Sequence, residues 1–293
     1  VRFDGDKSFS VAVSDITGRS SMGLGDVLED RHGRIWFATN VGLKRMDEVD
    51  LQTHLQDSSR TDFTEFNTDN GLAHHWATSL LEDERGFLWI GTYGGGISLF
   101  DGFAFQNISM QDGLPGNVIR DLSMTKNGEI LVATETGAAR LKIDRTPPPV
   151  NINSVIADQD YGPVKSIKIP SSQSIIIFDF QGISFKAHGN RMLYKYRLTG
   201  FEPEWRVGPE SRVRYTNIPS GDYTFEVYAI DRNLNYSEVP AIVNVDIHPP
   251  YTDLALQGGL GLSMIGLFIA MGISLRHRVR NEETQKRLVI EQK

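Results

Sequence analysis

ATSLLEDERGFLWIGTYGGGISLF, residues 77–100, decides how the rest of the chain is read. Leu80 and Leu81 close a first apolar run. Asp83, Glu84, Arg85 and Gly86 then supply turn chemistry, with glycine free to take positive φ. Residues 87–92 are a β-type run holding Trp89, and Gly94, Gly95 and Gly96 break it. Residues 97–100 follow. Asp101 and Gly102 then give a strong two-residue hairpin signal, leading to a fourth run over 103–108. Four short antiparallel strands joined by tight turns predict one blade of a β-propeller.

The pattern recurs within the chain. Residues 25–45, GDVLEDRHGRIWFATNVGLKR, place Glu29, Asp30, Gly33, Trp36 and Thr39, then Gly42 and Leu43, in the order of Glu82, Asp83, Gly86, Trp89 and Thr92, then Gly95 and Gly96. Residues 117–141 are a weaker copy, with Gly128, Leu131, Thr134 and Gly137 in those slots. Gly86 and Gly128 lie about 42 residues apart, inside the range of propeller blades. The first interval is about 53, which places an insertion of roughly 11 residues within 46–64. Linkers repeat too: Asn70, Gly71 and Leu72 match Asp112, Gly113 and Leu114. Trp36 and Trp89 are expected as core aromatics between blades, and the recurring Glu and Asp as residues that orient a turn. Residues 1–10, VRFDGDKSFS, read as the end of a further blade. Three blades and a fraction cannot close a ring that needs at least about four. Further blades are therefore expected before Val1, and the chain is read as a piece of a longer protein.

Thr146, Pro147, Pro148 and Pro149 end the repeats, because a proline run cannot continue a ladder. Beyond it, short β-type runs over 150–157, 174–180, 193–199, 212–217, 223–230 and 239–247 have the size of an immunoglobulin-like or fibronectin-like sandwich. Tyr223 follows the turn of Ile218, Pro219, Ser220, Gly221 and Asp222, as in a tyrosine corner. Trp205 is expected in the core.

The net charge is −7, and the last 18 residues hold six Lys or Arg against three acids, so the body is more acidic than the whole. An acidic body argues against nucleic acid as a partner. The absence of cysteine excludes disulfides, zinc–thiolate sites and cysteine nucleophiles.

The repeats resemble the two-component regulator propeller repeat over residues 25–141. The following region resembles the three-tyrosine (Y_Y_Y) domain over 194–250. The residues that carry the second likeness are Tyr196, Arg197 and Leu198, Gly200 and Phe201, Glu204 and Trp205, Arg214 through Asn217, Pro219 through Phe225, and Pro249 with Pro250. Tyr196, Tyr215 and Tyr223 would be the three tyrosines. The third repeat departs from the pattern, with Ile130, Leu131 and Val132 where the others carry tryptophan. The resemblance implies the sensor region of a membrane histidine kinase or, less often, a cyclase.

An uncharged run of about 22 residues, 254–275, is long enough to cross a hydrocarbon core. Tyr251 stands at its entrance. Arg276, His277, Arg278 and Arg280 stand at its exit, which places the tail in the cytoplasm and the β regions outside, in a Gram-negative periplasm. Gly259 with Ser263, and Gly266 with Ala270, are spaced for close approach of two such helices in a homodimer. The expected organisation is all-β, then helical: a truncated propeller over 1–145, a sandwich over 146–250, a transmembrane helix over 251–275 and the start of a signalling helix over 276–293.

The catalytic motifs G-x-S-x-G, H-E-x-x-H and the Walker loop do not occur. No catalytic residue, metal ligand or cofactor is assigned. Propellers bind where their loops converge, and the most decorated loops carry His74, His75 and Trp76, with Tyr93 in the glycine turn. Aromatics with imidazoles suit a small polar ligand such as a saccharide. The expected function is a periplasmic sensor on the bacterial inner membrane. The alternatives are a membrane-anchored adhesion or carbohydrate-binding protein without a signalling output, and a propeller enzyme whose acid and base lie in other blades.

Overall fold

The computed structural model describes residues 3–4, 7–8, 23–47, 63–173, 175–184, 192–251, 263–278 and 280. They form an all-β structure of several sheets with a helical segment at 263–278. A short hairpin pairs β1 (Phe3–Asp4) with β2 (Lys7–Ser8). A four-stranded meander follows: β3 (Leu24–Glu29), β4 (Ile35–Thr39), β5 (Gly42–Met46) and β6 (Thr64–Phe66). A second has β7 (Ala77–Glu82), β8 (Leu88–Thr92), β9 (Ile97–Phe100) and β10 (Phe105–Ile108). A third sheet has three described strands, β11 (Ile119–Met124), β12 (Ile130–Thr134) and β13 (Ala138–Leu141). Neighbouring sheets meet through their first strands, β3 against β7 and β7 against β11, so these strands lie innermost. Most of the insertion expected within 46–64 lies outside the described residues.

The internal repeat is visible atom by atom. Trp36 and Trp89 are each 2% exposed. Trp36 Nε1 donates to Asp30 Oδ2 at 2.8 Å, and Trp89 Nε1 to Asp83 Oδ2 at 3.0 Å. Asp30 Oδ1 accepts from the backbone of His32 and Arg34, and Asp83 Oδ1 from that of Arg85 and Phe87. The recurring aspartate therefore closes a turn with one oxygen and anchors the core indole with the other. Gly33 and Gly86 take φ of 74° and 86° in those turns. The hydroxyls of Thr39, Thr92 and Thr134 donate to the carbonyls of Gly42, Gly96 and Gly137 at 2.7, 2.7 and 2.8 Å. This corrects the sequence register: Gly42 corresponds to Gly96 rather than Gly95, because the second meander's loop is one residue longer. Each innermost strand also shifts register near its start, between Leu24 and Asp26, Ala77 and Ser79, and Ile119 and Asp121.

After the proline run, the described residues form eight strands in two stacked sheets. They are β14 (Val150–Ile156), β15 (Ser166–Pro170), β16 (Ile175–Gly182), β17 (Leu193–Thr199), β18 (Arg206–Gly208), β19 (Arg212–Thr216), β20 (Gly221–Ile230) and β21 (Ala241–His248). One sheet has the order β14-β16-β19, and the other β15-β21-β20-β17-β18. Two of these strands, β15 and β18, were not expected. Both are short edge strands, and β15 pairs parallel to the distant β21. Phe178 of one sheet stacks on Phe225 of the other, 3.9 Å between ring centroids, at the centre of the core. Tyr196, Tyr215 and Tyr223 are all buried in that cluster. Tyr223 Oη donates to the Pro219 carbonyl at 3.0 Å, the bond of a tyrosine corner.

Trp205 departs from expectation. It is half-buried, outside the core, with Arg197 Cζ 4.2 Å and Lys195 Nζ 4.9 Å from its ring centroid. Alternate side chains of a strand face opposite ways. Tyr194, Tyr196 and Leu198 turn inward, so Lys195 and Arg197 face out and meet the indole there.

Residues 254–262 of the apolar run lie outside the described residues. Among the described residues no helix is long and apolar enough to cross a membrane.

Candidate functional site

The four residues singled out in the sequence converge at one end of the second meander. His74, His75 and Trp76 precede β7, and Tyr93 begins the turn between β8 and β9. Tyr93 N donates to the Trp76 carbonyl at 2.9 Å, which joins the two loops. The Trp76 and Tyr93 rings stack at 4.4 Å and 24°, yet remain 40% and 39% exposed. His74 and His75 form a second stacked pair, 4.2 Å apart at 30°. His74 Nδ1 accepts from the Trp76 backbone at 3.1 Å, which ties the imidazole pair to the aromatic pair.

The glycine turn makes this approach possible. Gly94 takes φ of 124° directly under the His74 ring. A Cβ at Gly95 would lie 2.5 Å from the Ala73 carbonyl oxygen, so a side chain there would push the two loops apart. Gly94 N and Gly96 N both donate to the Asn117 carbonyl, at 3.1 and 2.9 Å, which fastens the turn to the third sheet.

The structure adds Arg120 to the set. Its Cζ stands 5.8 Å from the Tyr93 ring centroid. Arg120 is the extra residue in the β11 register shift, and such bulges redirect a side chain. Sequence offers no direct signal for it, since its proximity to Tyr93 depends on the packing of neighbouring sheets.

Partial burial, and then the neighbouring His75, hold the His74 pKa below the ordinary histidine value. His74 is therefore neutral near pH 7, with one ring nitrogen occupied by the Trp76 amide and the other available. The cluster offers flat exposed π faces, a neutral imidazole and a guanidinium. Those groups bind rings and hydroxyls, with the cation giving orientation. Among the described residues of the cluster, no nucleophile and base are paired.

With this geometry in place, comparisons locate the chain among known proteins. Residues 71–94, which contain all four predicted site residues, match the two-component regulator propeller. Residues 186–248 match the Y_Y_Y domain. The chain carries both modules. The propeller match is narrower than the 25–141 expected from the repeats, and the second begins upstream of the expected 194. Histidine kinase P4 of Formosa agariphila is 23% identical over 271 residues, which cover 89% of this chain and 17% of the kinase. The chain thus spans about one sixth of that curated relative. The extracellular domain of a hybrid two-component system from B. thetaiotaomicron is 21% identical, with a TM-score of 0.43 over 77% of this chain and 32% of that one. PorZ of Porphyromonas gingivalis, a surface component of the type-IX secretion system, is 13% identical, with a TM-score of 0.35 over 78% of this chain and 31% of that one.

Proposed function

We propose that this chain is the sensor section of a single-pass signal-transduction receptor of the bacterial inner membrane, with a histidine kinase as its output. In this reading residues 1–145 are blades of a propeller, 146–250 a membrane-proximal immunoglobulin-like sandwich, 251–275 the membrane helix and 276–293 the start of a cytoplasmic helix. The order of the parts carries the reading: a regulator propeller repeat, a Y_Y_Y domain, an uncharged run and an arginine-rich exit in one chain. The helical residues 263–278 support it, since their side chains are exposed all round and include Leu267, Phe268 and Ile269. A helix that is apolar on every side suits lipid rather than water.

The platform of Trp76, Tyr93, His74 and His75 is the proposed ligand site, and a saccharide is the class its stacked aromatics suit. The signal requires the ligand to bind two receptor states with different affinity, because equal affinity shifts nothing. The small-residue spacing of the apolar run supports action as a homodimer.

Alkaline phosphatase fusions test the topology. With an export signal before Val1 in a Gram-negative host, a fusion after residue 250 should be active and one after residue 293 inactive. Activity at both positions, or only at the second, defeats the membrane reading.

A further inference from the structure

The aspartate turn of the meanders occurs once more, in the sandwich. Asp231 N donates to the Asn235 carbonyl at 3.0 Å, and Leu234 N to the Asp231 carbonyl at 3.1 Å. Asp231 Oδ1 accepts from Asn233 N and Asn235 N, at 2.8 and 2.9 Å. Bond for bond these match Asp83, whose backbone pairs with Phe87 and Gly86 and whose Oδ1 accepts from Arg85 N and Phe87 N. The slot of Gly86 is filled by Leu234, at φ of 55°. A bulky L-residue is disfavoured in the left-handed region, so something must hold it there.

The turn joins β20 to β21 at one end of the sandwich, where a connection ordinarily meets water. Leu234 is nevertheless 2% exposed. What covers it is the other region: Leu234 and Ile230 belong to the apolar cluster of Trp89, Leu99, Ile108 and Ile130. Polar contacts ring the insertion. Arg85 Nη1 donates to the Asn233 carbonyl at 2.9 Å, so the turn at Asp83 grips its counterpart directly. Asn233 and Asn235 side-chain amides both donate to the Asp144 carbonyl, at 3.2 and 2.8 Å. Tyr236 Oη donates to Asp101 Oδ2 at 2.6 Å, and Asp101 Oδ1 meanwhile closes its own turn on Phe103 N and Ala104 N.

We propose that residues 231–236 are a plug that fixes the sandwich onto the second and third sheets, so that the two regions move as one body instead of hinging at the proline run. Leucine stands in a glycine slot because the turn presents it to the neighbouring core. This inference does not depend on the sensor reading.

The chain has no cysteine, so label positions can be chosen freely. Lys126→Cys, in the exposed turn between β11 and β12, and Arg214→Cys, exposed on β19, place one nitroxide on each region. Dipolar electron spin resonance on the full chain in detergent micelles should give one narrow distance peak. Leu234→Gly and Leu234→Asn both suit a positive φ and remove the apolar insertion. Each should keep the β circular dichroism and lose the narrow peak. A broad distribution in the parent overturns the proposal, as does an unchanged narrow peak in the two variants. Loss of β structure in both variants also overturns it, because Leu234 would then hold the sandwich itself together.

Discussion

Asp83→Asn changes one buried oxygen to a nitrogen at constant volume, and its consequence can be worked from the contacts. Oδ1 accepts from the backbone of Arg85 at 2.8 Å and Phe87 at 3.1 Å, a role an asparagine oxygen keeps. Oδ2 accepts from Trp89 Nε1 at 3.0 Å and from Arg85 Nη2 at 2.9 Å. An amide NH₂ at that position faces two donors. The indole N–H is left buried without an acceptor, and the guanidinium loses its counter-charge. A hydrogen bond to a charged group contributes about 1.5–3 kcal/mol net, and the Arg85 pair is partly screened, so the substitution should cost about 2–4 kcal/mol. Trp89→Phe removes the donor instead and leaves the carboxylate its other partners. In the double variant the asparagine no longer meets an indole N–H, so the two penalties overlap, with a coupling of about 1–2 kcal/mol. Hydrogen exchange of the amides in residues 77–100 reads this as local opening, expected to be roughly thirtyfold faster or more in Asp83→Asn. Acceleration below about threefold, or strict additivity in the double variant, would refute the claim that the carboxylate joins turn and core.

Tyr223→Phe removes the bond to the Pro219 carbonyl and should lower sandwich stability by about 1 kcal/mol in thermal unfolding; an unchanged midpoint would deny the corner its role. Trp76→Ala and Tyr93→Ala alter half-exposed rings and should leave the fold within about 1 kcal/mol of the parent. Both should abolish fluorescence changes on titration with neutral oligosaccharides, and an undiminished response in either variant counts against the platform. His74 should titrate below the ordinary histidine value by imidazole NMR. Folding favours its neutral form, so its stabilising contribution is present above the unfolded-state pKa and is lost as pH falls from there through the folded pKa. A midpoint at or above the ordinary value contradicts this assignment.

The features legible in sequence were those set by local chemistry. Asp83, Gly86 and Trp89 lie within seven residues of one another, and that spacing gives the turn and the core tryptophan, whereas the bond from the Trp89 indole to Asp83 appears only in the structure. Tyr223 and Pro219 are equally close. Trp76 and Tyr93 could be singled out from sequence because they are aromatics in the linker into β7 and in the glycine turn that follows β8. Arg120 was not, since only the packing of β11 beside β7 brings it to Tyr93. For the same reason β15 went unseen: its partner β21 lies on the far side of the whole sandwich sequence, and nothing in SIKIP announces a parallel edge. Trp205 was misplaced because an aromatic near β-type runs reads as core, whereas strand parity put two cations on its side of the sheet.

Leu234 belongs to a third class, in which sequence and local geometry disagree. The turn that begins at Asp231 is the one used at Asp30 and Asp83, where glycine occupies the positive-φ slot. Were the sandwich free in water, glycine or asparagine would serve there with less strain, and an exposed leucine would add nothing. A residue that breaks the rule of its own turn is explained only by a contact outside the turn. That contact is the core around Trp89, whose indole donates a hydrogen bond to the Asp83 turn. The Arg85 side chain that pairs with Asp83 also reaches the Asn233 carbonyl. Loss of the Asp83 carboxylate should therefore loosen the second meander and the seat of the plug together. In the Lys126 and Arg214 labelled chain, Asp83→Asn should broaden the distance peak although it lies outside the plug. A peak that stays narrow, while exchange in 77–100 rises, would show that the joint rests on the apolar insertion alone.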